Sequence, residues 1–591
     1  MKNKLIILVV SVMIFSGCKD LLSPADQNDR SLDVIYNNAP FAEGLLMNGY
    51  VRLPTGGYSF NDVATDDAVS NDGGNNYLLM ATGKWSSLNN PMDQWANAFA
   101  AIQYLNITLE QTDKVNWATT GLYTKEMFND RTKGEAYGLR ALFMYYLLQA
   151  HGGYTSDGKL MGVPIILKSL DTNSDVNLPR NTFAECLTQI YADLDLAESY
   201  LPLDFEDITA TSQLQLPSKY AAKTTVSDYN RVFGAFDRGR LTARIVKGIR
   251  AQVSLLAASP AFNQDPSKWS KAADDAAAVL DINGTGGISG LASNGAKWYA
   301  SSNATEIDGL ALGANPKEVL WRTNVASSNN LESDNYPPTL YGKGRTNPTQ
   351  NLVDAFPGAN GYPITNVTSK YNPAKPYTSR DPRLTLYIAV NGSKMGPGST
   401  VVSTETGKTI DGFDSTSTST RTGYYMRKLL REDVNLSPST PTSQKHYVSR
   451  IRYTEIYLAY AEAANEAWGP DGTGSHAYSA RQVIAAIRKR AGITQPDKYL
   501  ASITSADDMR TLIHNERRLE LCFEGTRFWD LRRWKVSSSD LTAEAMGMKI
   551  TGSAYVTVPV EVRSYKDYMY YGPIPNLEIL KFNNLVQNTG W

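Results

Sequence analysis

Asp66 and Asp67 are the residues whose type and spacing come nearest to a reaction centre. A glycosidase needs only two carboxylates, one on each side of a sugar. Here the two are adjacent, in a Gly- and Asn-rich loop with Tyr58 and Asn71 nearby, a setting in which acidic side chains more often shape turns and accept hydrogen bonds. The four histidines, His151, His446, His476 and His514, are far apart, and none stands in an HExxH or other metal spacing. No Gly-x-Ser-x-Gly elbow, Walker loop or dinucleotide fingerprint occurs. Cys186 and Cys522 lie in the apolar contexts FAECLTQI and LELCFEG and read as buried thiols. The expectation is a protein with no catalytic residue, no metal ligand and no cofactor.

Binding chemistry is better represented. With 34 Tyr and 10 Trp against 16 Phe, the aromatic content favours rings that pair an apolar face with a polar handle, suited to half-wet surfaces. Trp298, Tyr299, Trp321, Tyr336, Tyr341, Tyr362, Tyr371 and Tyr377 are scattered through a stretch, 282–444, dense in Gly, Ser, Thr, Asn and Pro. Long irregular segments in a large globule are functional or disordered, and this aromatic content argues against disorder. Trp95, Trp117, Trp468 and Trp529 sit on or beside helical stripes and are assigned to the core.

Those stripes supply the frame. Leu139, Leu142, Phe143, Tyr146 and Leu147 recur at helical spacing in GEAYGLRALFMYYLLQAHGGY, which Gly152-Gly153 ends. Similar patterns cover 91–111, 181–202 with Asn181 as N-cap, 244–263, 268–281, 452–467, 478–490 and 507 to about 523. Paired helices with small-residue faces predict a mainly α, tetratricopeptide-like scaffold of degenerate hairpins. Short strands are expected at Glu318–Arg322 and Leu384–Val390.

The run NERRLELCFEGTRFWDLRRW (515–534) is the densest in charge. Glu516, Glu520 and Glu524 share one helix face, and with Arg527, Asp530, Arg532 and Arg533 after the Gly525 break, carboxylates and guanidiniums can form forked pairs where the helix ends against other elements. It is expected to be a partly buried ion-pair network locking the C-terminal helices.

Lys2 and Lys4, the apolar run Leu5 to Phe15 and Ser16-Gly17-Cys18 form a signal segment too short to span a bilayer. Small residues before a cysteine resemble a bacterial lipobox, so Cys18 is expected to carry lipid. Residues 1–17 then form the signal peptide, 18–30 a tether and 31–591 a single globule, with its helical scaffold mainly in 91–281 and 445–535. A formal net charge of −1 over 591 residues removes electrostatic nucleic-acid binding as a default.

Taken together, these segments resemble the SusD/RagB family of surface lipoproteins. The Ser-Gly-Cys18 lipobox, the 134–154 and 244–263 helices, NPTQNLVDAFP (347–357) with Gly361, SRDPRL (379–384), RYTEIYLAYAEAANEA, IRKRAGI (487–493), 515–534 and YYGPIPNLEILKFNNLVQNTGW follow the family order. Trp591 stands where the family usually has Tyr, and Thr155 to Gly162 lengthens one loop. The resemblance implies a lipid-anchored, non-catalytic outer-membrane protein at the cell surface that binds oligosaccharide and delivers it to a SusC-like TonB-dependent transporter. Peptide uptake of the RagB type is the alternative. It also implies a ligand site drawn from the segment before the first scaffold helix and from the irregular region. The candidates there are Tyr58, Asp67, Tyr77, Trp85, Trp298, Trp321, Tyr336 and Tyr341.

Overall fold

The computed structural model describes residues 33–591 except 216–219, 221–222, 264 and 300–309. Cys18 and the signal segment lie outside the described residues. The principal helices are α1 (Ala39–Val51), α2 (Trp95–Gln111), α3 (Leu122–His151), α4 (Phe183–Tyr200), α5 (Ala243–Ala258), α6 (Lys268–Leu280), α7 (Tyr453–Trp468), α8 (Ala480–Ala491), α9 (Ala506–Glu520) and α10 (Arg527–Arg533).

From α1 to α7 each of these helices packs on the next, and α8 and α9 close on α7. This is the stack of helix hairpins that the apolar stripes require. Leu139, Leu142, Phe143 and Leu147 of α3 are all buried, as are Ile245, Ile249, Val253 and Leu256 of α5. Small residues let the helices approach closely: Ala272, Ala273, Ala276 and Ala277 of α6 and Ala461, Ala463 and Ala464 of α7 join one core cluster. The N-cap of α4 is Thr182 rather than Asn181. Thr182 Oγ1 accepts from Glu185 N at 3.2 Å while Glu185 accepts from Thr182 N at 2.8 Å, a reciprocal box that satisfies two end donors at once.

The irregular region folds onto this stack as two-stranded antiparallel ribbons and short helices. The strands that matter are β1 (Ala68–Ser70), β2 (Val319–Arg322), β3 (Ala326–Ser328), β4 (Thr346–Pro348), β5 (Gln444–His446) and β6 (Ser449–Arg452). β1 pairs with β4, β3 with β5 and β2 with β6. Of the strand expected at Leu384–Val390 only Ile388–Ala389 forms, paired with Tyr425–Met426, and the residues before it make a helical turn, Arg383–Tyr387. Arg383 is 1 % exposed and is held by Asp381, Glu516 and Glu520, which fixes the turn against α9.

The charged run is locked into a buried ion-pair network, its glutamates held by cations from outside the run. Glu516 accepts from Arg383 at 2.9 Å and Arg488 at 2.7 Å; Glu520 accepts from Arg383 and Arg490; Glu524 accepts from Arg452 at 2.7 Å and Lys428 at 2.6 Å. Pairing of this kind offsets the cost of burying the charges. Gly525 breaks the run with φ at +79°, and a Cβ there would meet Ser59 Oγ at 3.0 Å. Only glycine adopts that conformation freely, and it lets Ser59 and Asn61 pack against the turn between α9 and α10, where Asn61 Nδ2 donates to Gly525 O at 3.2 Å.

Candidate functional site

A cleft of about 770 Å³ opens between the 56–60 segment and the β3–β5 ribbon. Gly56 and Gly57 lead into Tyr58, Ser59 and Phe60, all lining the cleft. Phe60 takes φ 49°, ψ 34°, left-handed values that a bulky residue seldom adopts, and caps the short turn Asn61–Ala64. The strained turn sets the Tyr58 and Phe60 rings side by side, centroids 5.9 Å apart and planes 32° apart. Both rings are half-buried, leaving part of each open.

Tyr299 and Tyr447 complete the aromatic lining, 8 % and 6 % exposed. Trp298 braces both from behind, its ring centroid 5.5 Å from Tyr299 and 5.6 Å from Tyr447, while Tyr447 Oη donates to Trp298 O at 3.0 Å. The rim is rich in amides and charge. Asn324, Asn330 and Asp334 are exposed, and Asn75 and Arg345 are half-buried. Arg345 donates to Asn71 Oδ1 at 3.3 Å and Asp334 pairs with Lys343 at 2.9 Å. His446 on β5 lies 2.9 Å from buried Glu332. Burial disfavours its charged form, yet the hydrogen bond and charge of Glu332 outweigh this and move its pKa upward.

Most of the expected ligand residues lie elsewhere. Tyr58 alone among them lines the cleft. Trp298 is 1 % exposed, and Trp321 is 2 % exposed with Nε1 donating to Gly239 O at 3.0 Å. Tyr336, also 1 % exposed, donates from Oη to Arg431 O at 2.7 Å. Trp85 is sealed among Phe528, Tyr565 and Trp591, the last with its ring centroid 4.8 Å away. Asp67 is wholly buried against Arg518. These five are corrections: a ring or carboxylate enclosed by protein offers a ligand nothing. Tyr77 is half-buried outside the cleft lining, and Tyr341 is a well-exposed ring on the loop leading to Arg345. Of the tryptophans assigned to the core, Trp95 and Trp117 are buried, while Trp468 and Trp529 are half-buried.

Sequence reasoning missed Phe60, Tyr447, His446, Asn324 and Asn330. The usable signal was GGYSF, two unhindered glycines before alternating rings; no local pattern announces the asparagines. Among the described residues no cluster of His, Cys, Asp or Glu is placed to hold a metal ion, and no helix is long and apolar enough to cross a membrane.

Two family models match successive parts of the chain. One, described as the SusD family, covers 317–591, and a second, described as starch-binding associating with outer membrane, covers 51–229. The chain belongs to the SusD/RagB family. Two curated relatives come from Formosa agariphila: SusD-like protein P2, 28% identical over 149 residues, and SusD-like protein P25, 35% identical over 112 residues. Those matches cover 25% and 19% of this chain and span only 26% and 19% of the relatives' own lengths.

The SusD fold is shared throughout. A SusD-like protein of Bacteroides fragilis superposes with a TM-score of 0.70 at 20% identity, covering 95% of this chain and 98% of that one. A SusD-like carbohydrate binding protein of the same species gives 0.68 at 20% identity, covering 93% and 99%. A laminarin binding SusD-like protein gives 0.58 at 19% identity, covering 94% and 100%. In this SusD-family chain the hairpin stack is the common frame, and the cleft is built from segments laid upon it.

Proposed function

We propose that the protein captures an oligosaccharide in the Tyr58 cleft and delivers it to a SusC-like TonB-dependent transporter, without chemistry on the ligand, while lipid at Cys18 holds it to the outer membrane. The observation that carries this reading is the cleft itself. Tyr58 and Phe60 offer adjacent, partly open ring faces on which the C–H faces of a sugar can lie. Asn75, Asn324, Asn330, Asp334 and Arg345 surround them with donors and acceptors for hydroxyls. Rings are stiff, so little side-chain entropy is lost on binding.

Relatives support the ligand class: solved SusD-like proteins are described as carbohydrate binding and as laminarin binding, and one matching family model as starch-binding and associated with the outer membrane. Against catalysis stands the position of Asp66 and Asp67, both turned into arginines rather than into a cleft.

The test is retention of purified protein on a glycan array beside a peptide library, with Tyr58→Ala as control. Glycan retention that falls about tenfold or more in Tyr58→Ala, roughly 1.4 kcal/mol, is expected. Peptide retention with no glycan bound rejects the sugar reading in favour of RagB-type uptake. Cys18→Ser is expected to move the protein out of the membrane fraction without changing that affinity.

A further inference from the structure

A second, smaller chamber of about 190 Å³ lies behind the cleft wall. The 55–60 segment separates the two, with Thr55 lining the chamber and Gly56 to Phe60 the cleft; Ser449 and Val448 divide in the same way. At liquid density the chamber would hold about six waters, a volume suited to one sugar ring rather than a chain.

Its lining contains a cation that, among the described residues, belongs to no ion pair. Arg450 donates to Thr55 Oγ1 at 2.6 Å and lies 5.0 Å over the Trp321 ring, with no carboxylate in ion-pair reach among the described residues. A half-buried guanidinium without a counter-charge offers an anion a ready partner. Beside it Arg517, 3 % exposed, binds Asp530 through Nε and Nη2, while its Nη1 has no partner among the described residues.

The carboxylates of the chamber differ in how far they are engaged. Glu524 is held by Arg452 and Lys428, and Asp530 by Arg517 and Arg533. Among the described residues Glu455 accepts only from Gln252, at 2.7 Å, and burial moves its carboxyl pKa upward. The half-buried ring of Trp529 supplies an apolar wall.

We infer that this chamber binds a single hexuronate unit. The ligand carboxylate supplies the counter-charge for Arg450 in a forked pair, hydroxyls take the Arg517 Nη1 donor and the Glu455 acceptor, and the C–H face rests on Trp529. A neutral hexose leaves Arg450 uncompensated, and a simple anion leaves Glu455 and the ring unused. Occupancy is independent of what the Tyr58 cleft holds.

Calorimetric titration of the purified protein with D-glucuronate and with D-glucose tests this. Glucuronate is expected to bind at least tenfold more tightly. Arg450→Met should erase that preference, and Tyr58→Ala should keep it while losing oligosaccharide. Because Arg450→Met also removes a contact with Trp321, Gln149→Trp, which fills the chamber from its α3 wall, is a second variant, expected to exclude glucuronate from a protein that still unfolds cooperatively. Equal affinity for the two sugars, no glucuronate binding at millimolar concentration, a preference that survives Arg450→Met, or undiminished glucuronate affinity in folded Gln149→Trp overturns the proposal.

Discussion

Arg518 and Asp67, 451 residues apart in the chain, meet in a hydrogen bond of 2.7 Å from Nε to Oδ1. The same guanidinium reaches Asp66 Oδ2 at 2.7 Å, and Arg527 takes Asp66 from Nε and Nη2 at 3.0 Å. Two neighbouring carboxylates that would repel each other are thereby neutralised by two arginines, tying the β1 end of the early loop to α9 and α10.

Removing Asp67 should therefore cost folding and not function. Asp67→Ala leaves Arg518 partly uncompensated in a buried site, and a loss of about 3–5 kcal/mol is expected. Urea unfolding at neutral pH measures it. Protein that remains folded should release no reducing ends from polysaccharide, as the wild type should not; activity that disappears with Asp67 would reinstate a glycosidase.

Trp298 and Tyr58 should separate stability from binding. Trp298 fills the space behind Tyr299 and Tyr447, so Trp298→Ala is expected to lose about 3–5 kcal/mol through the cavity it leaves. Tyr58→Ala, on a half-buried ring at the cleft, should lose ligand with a much smaller drop in melting temperature. A Trp298→Ala protein as stable as wild type would place that ring outside the core.

Acid should unfold the protein through the C-terminal network. Burial opposes ionisation of Glu462, but Arg533 and Arg517 outweigh it and hold its pKa at about 2; Glu520 is held at about 2 against burial by Arg490, Arg383, Arg452 and Lys428. The ordinary glutamate value is 4.5. Between those values the unfolded chain binds more protons, so stability present above about pH 4.5 falls as pH drops toward 2. Denaturation midpoints at pH 7, 4 and 3 should decline in that order, and a flat profile would contradict the network's ion pairing. Glu462→Gln should flatten the decline in part.

The helical frame was legible because each stripe carries its own evidence. Leu139 to Leu147 repeat at helical spacing whatever lies beside them, and all but the half-buried Tyr146 are buried on α3. That the charged run would be paired was legible for a similar reason, since its density of carboxylates and guanidiniums calls for counter-charges; which ones was not, because Glu516, Glu520 and Glu524 take Arg383, Arg488, Arg490, Arg452 and Lys428 from outside the run. The turn at Arg383–Tyr387 was not, since Leu384 to Val390 reads as a strand until Arg383 is seen fastened to Glu516 and Glu520.

By itself the sequence determined the stack of α-hairpins, the need of the 515–534 charges for partners and the lack of a catalytic motif, all properties of local spacing and residue type. It also determined that aromatic rings crowd two segments. Which rings face solvent was decided only by the tertiary structure, because exposure depends on what packs from a distance. Trp85 is closed by Trp591 from the end of the chain, Trp298 is covered by Tyr447, and Tyr58 stays open because Gly56-Gly57 puts no side chain beside it. An indole carries the same local signature buried or bare, and only its distant neighbours distinguish a core residue from a binding surface.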